Sequence, residues 1–225
     1  TVGNVDERRS SSAEAELRLT VIAHAQRVLQ LVARVHEVGY VHCDIKPQHF
    51  MRFSGGLLKL VDFGAAQQEG SFATPAHTTR YCSPELATAI VRDGRNAAIQ
   101  VCSSLDVWAV GLVCYELFFG QPVFGEGSQY SHIVEAATNI RSRMLSSSTV
   151  NERQMRLLHC MLVREPAARP TTLELVHKCL FQTADDTVER KKVEVAAFFS
   201  NPTKDLSLMR EILTLCSSFP RQRRE

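Results

Sequence analysis

HCDIKPQHFMRFSGGLLKLVDFG, residues His42 to Gly64, gathers four ionisable side chains, Asp44, Lys46, His49 and Asp62, at the ends of two short apolar segments. Two short apolar runs, Phe50-Met51-Arg52-Phe53 and Leu57-Leu58-Lys59-Leu60-Val61, flank Ser54-Gly55-Gly56, the pattern of a β-hairpin with a glycine-containing turn. A hairpin returns its far end to its near end. Asp62, just past the second strand, is therefore expected beside Asp44 and His49, just before the first, and Lys46 shares that end. Two carboxylates converging there suit a divalent cation and a proton acceptor, because hard cations take oxygen ligands.

Upstream of the hairpin, Leu17, Val21, Ala25, Val28, Leu29, Val32 and Val35 recur at helical spacing. Ser11 with Glu14 forms a capping box and Gly39 stops the run, which predicts a helix over Ala13 to Val38 behind a polar lead-in, residues 1–12. Downstream of Gly64, a polar segment rich in Ala, Gln, Ser and Thr reads as a mobile loop. It ends in Thr78-Thr79-Arg80-Tyr81-Cys82-Ser83-Pro84-Glu85. The stretch from Leu86 to Leu105 reads as an insertion, with Arg92 to Asn96 an exposed turn.

Asp106 to Leu117 is apolar nearly all round, the signature of a buried helix, and Asp106 suits its N-terminus as a cap. Gly120-Gln121-Pro122 breaks it. Tyr130 to Met144 predicts an exposed helix, and Asn151 to Val163 and Thr171 to Leu180 two more, the last opened by a capping box of Thr171 and Glu174. Residues 184–225 read as a helical extension with candidates at Val188 to Phe199 and Leu206 to Leu215 and a basic end, Arg221, Arg223 and Arg224.

Composition narrows the class. At 225 residues, 44% hydrophobic and 22% charged, the chain has the make-up of a globular protein with room for one sizeable core. A formal net charge of +2 points to no nucleic-acid or membrane partner, and the longest uncharged apolar run, Val107 to Tyr115, is too short to span a bilayer. The 7 cysteines, an odd number without a CxxC pair, predict free thiols and hence a cytoplasmic or nuclear setting.

Taken together, His42 to His49 resemble the catalytic loop of the protein kinases, and Asp62-Phe63-Gly64 the metal-binding signature that follows it. Ser83-Pro84-Glu85 stands where that family has Ala-Pro-Glu. The resemblance covers about Ser11 to Phe181 and implies a mainly α fold with a small β-hairpin, the family's C-terminal lobe over residues 13–183. The N-terminal lobe is expected to be absent, since no glycine-rich phosphate loop or strand lysine precedes the helix. By the same resemblance the chain transfers the γ-phosphate of ATP to protein serine and threonine hydroxyls with Mg2+. Its partners are then a protein substrate and a regulatory protein. Alone, it is expected to bind ATP poorly and to transfer no phosphate at a useful rate.

The resemblance also distributes roles. Asp44 takes the proton of the substrate hydroxyl, Lys46 steadies the γ-phosphate and Asp62 holds Mg2+. Met51 packs beneath adenine, although a strand Met is also a plain core residue. His42, Phe63, Thr78, Glu85, Asp106 and Arg169 are structural: Thr78 supports Asp44 and Lys46, Asp106 holds the catalytic loop, and Arg169 pairs with Glu85.

Two positions depart from the family. Cys43 replaces the Arg that binds a phosphorylated activation segment, which predicts activity independent of loop phosphorylation. His49 replaces the Asn that ligates a second Mg2+; imidazole suits transition metals better, and the plainer reading is a ring hydrogen-bonded to nearby backbone. A scaffold or pseudokinase that keeps the fold for partner binding therefore stands as the alternative, with a small-molecule phosphotransferase of kindred fold behind it.

Overall fold

The computed structural model describes residues 21–54, 57–144 and 150–179. The start of the first predicted helix with its Ser11 cap, the lead-in and the 184–225 extension lie outside them.

The first helix, α1, occupies 21–37. Ala25, Val28, Leu29, Val32 and Val35 are buried along one face, as their spacing demands. Gly39, at φ +80°, turns the chain into β1 (Tyr40–Val41). The hairpin forms as β2 (Phe50–Arg52) and β3 (Leu58–Leu60), antiparallel with Phe50 opposite Leu60 and Arg52 opposite Leu58. Val61 N–H donates to the His49 carbonyl at 2.9 Å, which fastens the open end of the hairpin.

The segment after Asp62 is not a free loop. β4 (Gln67–Gln68) pairs with β1, and β5 (Phe72–Ala73) pairs with β6 (Ile99–Gln100). β6 comes from the stretch read as an insertion, which folds as α2 (Pro84–Asp93), a 3-10 turn at Gly94–Asn96 and this strand. Two further bonds extend the ladder, Gly70 N–H to the Val101 carbonyl and Val101 N–H to the Ser71 carbonyl, both at 2.8 Å.

α3 (Ser104–Phe119) is the central helix. Every residue from Leu105 to Cys114 is buried, so the absence of a polar face follows from its position in the middle of the core. Asp106 is not its cap, as the N-cap position falls on Ser103 and the Asp106 carboxylate is directed elsewhere. Gly120, at φ 71°, ends the helix in the left-handed conformation that glycine adopts without steric cost. α4 (Tyr130–Met144) has the expected span but is not simply exposed: Ile133, Ala136, Ala137 and Ile140 are buried, and the helix packs on α2.

α5 (Glu152–Met161) opens on a capping box of Asn151 and Gln154, and α6 (Thr172–Glu174), continued by a π-helical turn at Leu175–Cys179, on the expected one of Thr171 and Glu174. α3 and α5 meet at Gly111, where an added Cβ would lie 2.8 Å from Leu162 Cδ2 and 3.0 Å from Met161 Cβ. Gly111→Ala is accordingly expected to destabilise by about 1–3 kcal/mol through overpacking, despite alanine's better helix propensity. Chemical denaturation measures this, and a stabilised variant would mean that the contact is loose.

Cys43, Cys82, Cys102, Cys114 and Cys160 are held in no disulfide. Burial pushes the Cys114 thiol up to about 12, which keeps it unreactive. No helix among the described residues is long and apolar enough to cross a membrane.

Candidate active site

The site is built where β1, the hairpin and α3 meet. Asp106 is 1% exposed and its carboxylate collects three donors. Oδ2 accepts from His42 N–H at 2.7 Å and from His36 Nε2 at 2.9 Å, and Oδ1 accepts from Cys43 N–H at 2.9 Å. A buried carboxylate with this many hydrogen bonds is satisfied in place, and it fixes the backbone of the loop that carries Asp44. Cys43 itself sits at φ 68°. This left-handed conformation is costly for a residue with a Cβ and persists because the surroundings determine it.

His36 is a site-positioning residue that the sequence reading missed. From the end of α1, its Nδ1 accepts from Thr172 Oγ1 at 2.9 Å while Nε2 donates to Asp106, so one imidazole joins α1, α3 and α6. The signal was a histidine extending the apolar face of α1 just beyond Val35.

His42 is fully buried. Its Nε2 donates to the Val61 carbonyl at 3.2 Å, its Nδ1 accepts from Asp44 N–H at 3.4 Å, and its ring packs 5.1 Å from that of Phe63. Burial lowers its pKa, with only partial opposition from Asp106, so the ring is neutral and acts as a brace between the two halves of the site.

Asp44, Lys46 and Thr78 form a closed triangle. Lys46 Nζ donates to Asp44 Oδ2 at 2.8 Å and to Thr78 Oγ1 at 2.9 Å, and Thr78 Oγ1 donates to Asp44 Oδ1 at 2.7 Å. Burial works against the charge on Asp44. The Lys46 and Thr78 hydrogen bonds and the Lys46 charge outweigh it, and the carboxyl is held below the usual aspartate range. An ionised carboxylate with a lysine beside it can accept a proton and neutralise an anion at one place.

Asp62 takes φ 64°, again left-handed, so its carboxylate turns back toward the catalytic loop. It is 63% exposed and stands 3.2 Å from His49 Nε2, while Asp44 Oδ2 is 3.9 Å from the same nitrogen. The hairpin thus delivers both carboxylates to one imidazole. His49, 5% exposed, donates from Nδ1 to the Asp44 carbonyl at 2.8 Å. Asp62, an accessible oxygen donor, fits Mg2+; His49, a nitrogen donor, does not. Among the described residues no group of three or more His, Cys, Asp or Glu side chains is gathered in metal-binding geometry.

Met51 is 49% exposed on β2, so it is not the core residue that a strand methionine usually is. Glu85 and Arg169 form a two-pronged ion pair, Nη1 to Oε1 at 2.7 Å and Nη2 to Oε2 at 2.8 Å. Next to Thr78 in the chain, His77 donates from Nδ1 to the Pro75 carbonyl and accepts from the Tyr130 hydroxyl on α4 at 3.1 Å. Tyr81 donates to Glu116 on α3 at 2.8 Å. The segment from His77 to Glu85 is thereby seated on α3 and α4 beside Asp44.

A protein kinase domain family model matches residues 4–181. The chain belongs to the protein kinase family. Its relatives include the probable serine/threonine-protein kinase mps1 of Dictyostelium discoideum, 31% identical over 159 residues, which cover 68% of this chain and 16% of that protein. The serine/threonine-protein kinase Aurora-2 of Arabidopsis thaliana is 28% identical over 80% of this chain and 57% of its own length. The Citron rho-interacting kinase of Rattus norvegicus is 40% identical over 43% of this chain and 5% of its own length. This kinase chain therefore spans less than two thirds of each of these relatives.

Proposed function

We propose that this chain is the large lobe of a serine/threonine protein kinase and that Asp44, Lys46, Thr78 and Asp62 are its phosphotransfer site. The observation that carries the reading is the Asp44–Lys46–Thr78 triangle at the end of the hairpin that also delivers Asp62. Phosphoryl transfer asks for positioning and positive charge rather than covalent help from the protein. The substrate hydroxyl lies against Asp44, which takes its proton as the oxygen bonds to the γ-phosphorus and ADP departs. Lys46 neutralises the phosphoryl oxygens, and Thr78, bonded to both side chains, fixes how the ion pair sits. Asp62 would hold Mg2+, which would supply the remaining charge neutralisation on the phosphates. Met51, exposed on β2, offers an apolar surface to the adenine ring.

A protein substrate is favoured over a small molecule by the segment from His77 to Glu85, seated as a platform beside Asp44. The free thiols favour the cytosol or nucleus. The experiment is incubation of the full natural polypeptide containing these residues with labelled ATP, Mg2+ and a generic protein substrate. Label on serine or threonine is the expected result, and its absence opposes the reading. One observation favours the scaffold alternative, which keeps the fold without turnover: His49 stands where a magnesium ligand is expected.

Activity is expected to be independent of phosphorylation in the segment after Asp62. Glu69 N–H donates to the Gly39 carbonyl at 3.0 Å, Ser103 N–H to Glu69 Oε1 at 3.1 Å, and β5 is paired with β6, so backbone bonds already hold that segment. Cys43 offers no cation to a phosphate. Phosphatase treatment should leave turnover unchanged; loss of most of it would mean that a phosphate is needed after all.

A further inference from the structure

We propose that His49 and Asp62 form a mixed nitrogen and oxygen seat for a first-row transition-metal dication, held in preference to Mg2+. The proposal rests on the reading of this site as a cation–nucleotide site and concerns which cation its residues select.

The tautomer comes first. His49 Nδ1 lies 2.8 Å from the Asp44 carbonyl, which can only accept, so Nδ1 carries a proton. That is the arrangement of metal-ligating histidines, whose second nitrogen is held by a backbone carbonyl or carboxylate. In the neutral ring Nε2 then has its lone pair free. Asp62 Oδ2, on a side chain 63% exposed, lies 3.2 Å from it. Two atoms bound side by side to one ion at about 2.1 Å stand about 3.0 Å apart, so the pair is spaced as neighbouring ligands without rearrangement.

Asp44 stays out of the ligand set. Its Oδ2 is 3.9 Å from Nε2, and its two oxygens are engaged by Lys46 at 2.8 Å and Thr78 at 2.7 Å. The seat thus has two protein ligands and leaves the other positions to water or phosphate oxygens. Mg2+ demands oxygen and dehydrates reluctantly. For a site with a nitrogen ligand, affinity rises from Mn2+ through Cu2+ and remains high at Zn2+. Mn2+, at the weak end of that order, is the stringent probe, and as a harder ion it avoids the free thiols.

The test is Mn2+ binding to the intact chain in excess Mg2+, read by the loss of the free-ion paramagnetic signal and by nitrogen modulation in the pulsed spectrum of the bound ion. Retained Mn2+ with directly coupled nitrogen is expected. His49→Asn should weaken retention by at least about tenfold, the lower end of what even supporting residues of a metal site contribute. It should also remove the nitrogen coupling.

Should His49→Asn not fold, 15N-histidine labelling of the unmodified chain still reports whether an imidazole is bound. Mn2+ displaced by equimolar Mg2+, bound Mn2+ without nitrogen coupling, or coupling unchanged in His49→Asn overturns the proposal. Phosphoryl transfer without nitrogen coupling sinks this inference alone. Nitrogen coupling in this chain without transfer by the full natural polypeptide sinks the kinase reading alone.

Discussion

Asp44→Asn is expected to lower the proposed phosphoryl transfer by about 10²–10⁴-fold, the range for loss of a general base, with little change in thermal stability. The substitution keeps the shape of the side chain, and Thr78 can still donate to its oxygen. Lys46, 22% exposed, loses its ion partner but keeps access to water and its bond to Thr78, so the structural cost is small. The effect falls on kcat, because the hydroxyl can still bind but has lost its proton acceptor. Lys46 and Thr78 hold the Asp44 carboxyl below its ordinary value of 3.8. In the unmutated chain it therefore stays ionised as pH falls from neutral, and any acid limb of a rate profile above that value is expected from another group. Steady-state rates across pH check both statements. An Asp44→Asn enzyme within about threefold of the original would remove Asp44 from the chemistry.

Arg169→Ala is expected to cost about 3–5 kcal/mol of stability. The Arg169 side chain is 0% exposed and Glu85 is 20% exposed. Beyond the two bonds to Glu85, Arg169 donates to the carbonyls of Ser104 at 2.9 Å, Val163 at 2.7 Å and Arg164 at 3.0 Å. Its guanidinium lies 5.1 Å from the Trp108 ring. The pair adds little net energy once the desolvation of both charges is counted. Removing one member, however, leaves a mostly buried carboxylate and three carbonyls without their donor. For a chain of this size that corresponds to a drop of about 6–20 °C in Tm. Thermal unfolding followed by circular dichroism measures it, and a double variant with Glu85→Gln and Arg169→Met should lose less than the two single changes summed. A drop under about 2 °C in Arg169→Ala would mean that the pair is open to water.

How much of this could be read beforehand depended on whether a feature is local. The hairpin, the span of α4 and the Thr171 capping box are written in periodicity and turn chemistry within one segment. The catalytic loop, Asp62 and Glu85 were legible as motifs, and the hairpin itself explains why Asp44 and Asp62 meet. β5 and β6 were not legible. Two-residue strands carry no alternation and exist because each supplies the other's partner across the fold. The left-handed Cys43 and Asp62 were hidden for a related reason, since neither residue type demands φ near 65° and tertiary contacts impose it. His36 belongs here too, as only the packed helices bring it to Asp106. The buried face of α4 was present as Ile133, Ala136, Ala137 and Ile140 but is masked by small side chains among polar ones.

In the proposed site two carboxylates delivered to one place divide the labour, Asp62 toward the cation and its nucleotide and Asp44 toward the hydroxyl. Magnesium-dependent ATP affinity of the natural polypeptide, measured by calorimetry for the unmodified form, Asp62→Asn and Asp44→Asn, separates them. Asp62→Asn is expected to lose most of the magnesium-dependent affinity while Asp44→Asn keeps it. Equal affinities in all three, or a loss confined to Asp44→Asn, would contradict that division.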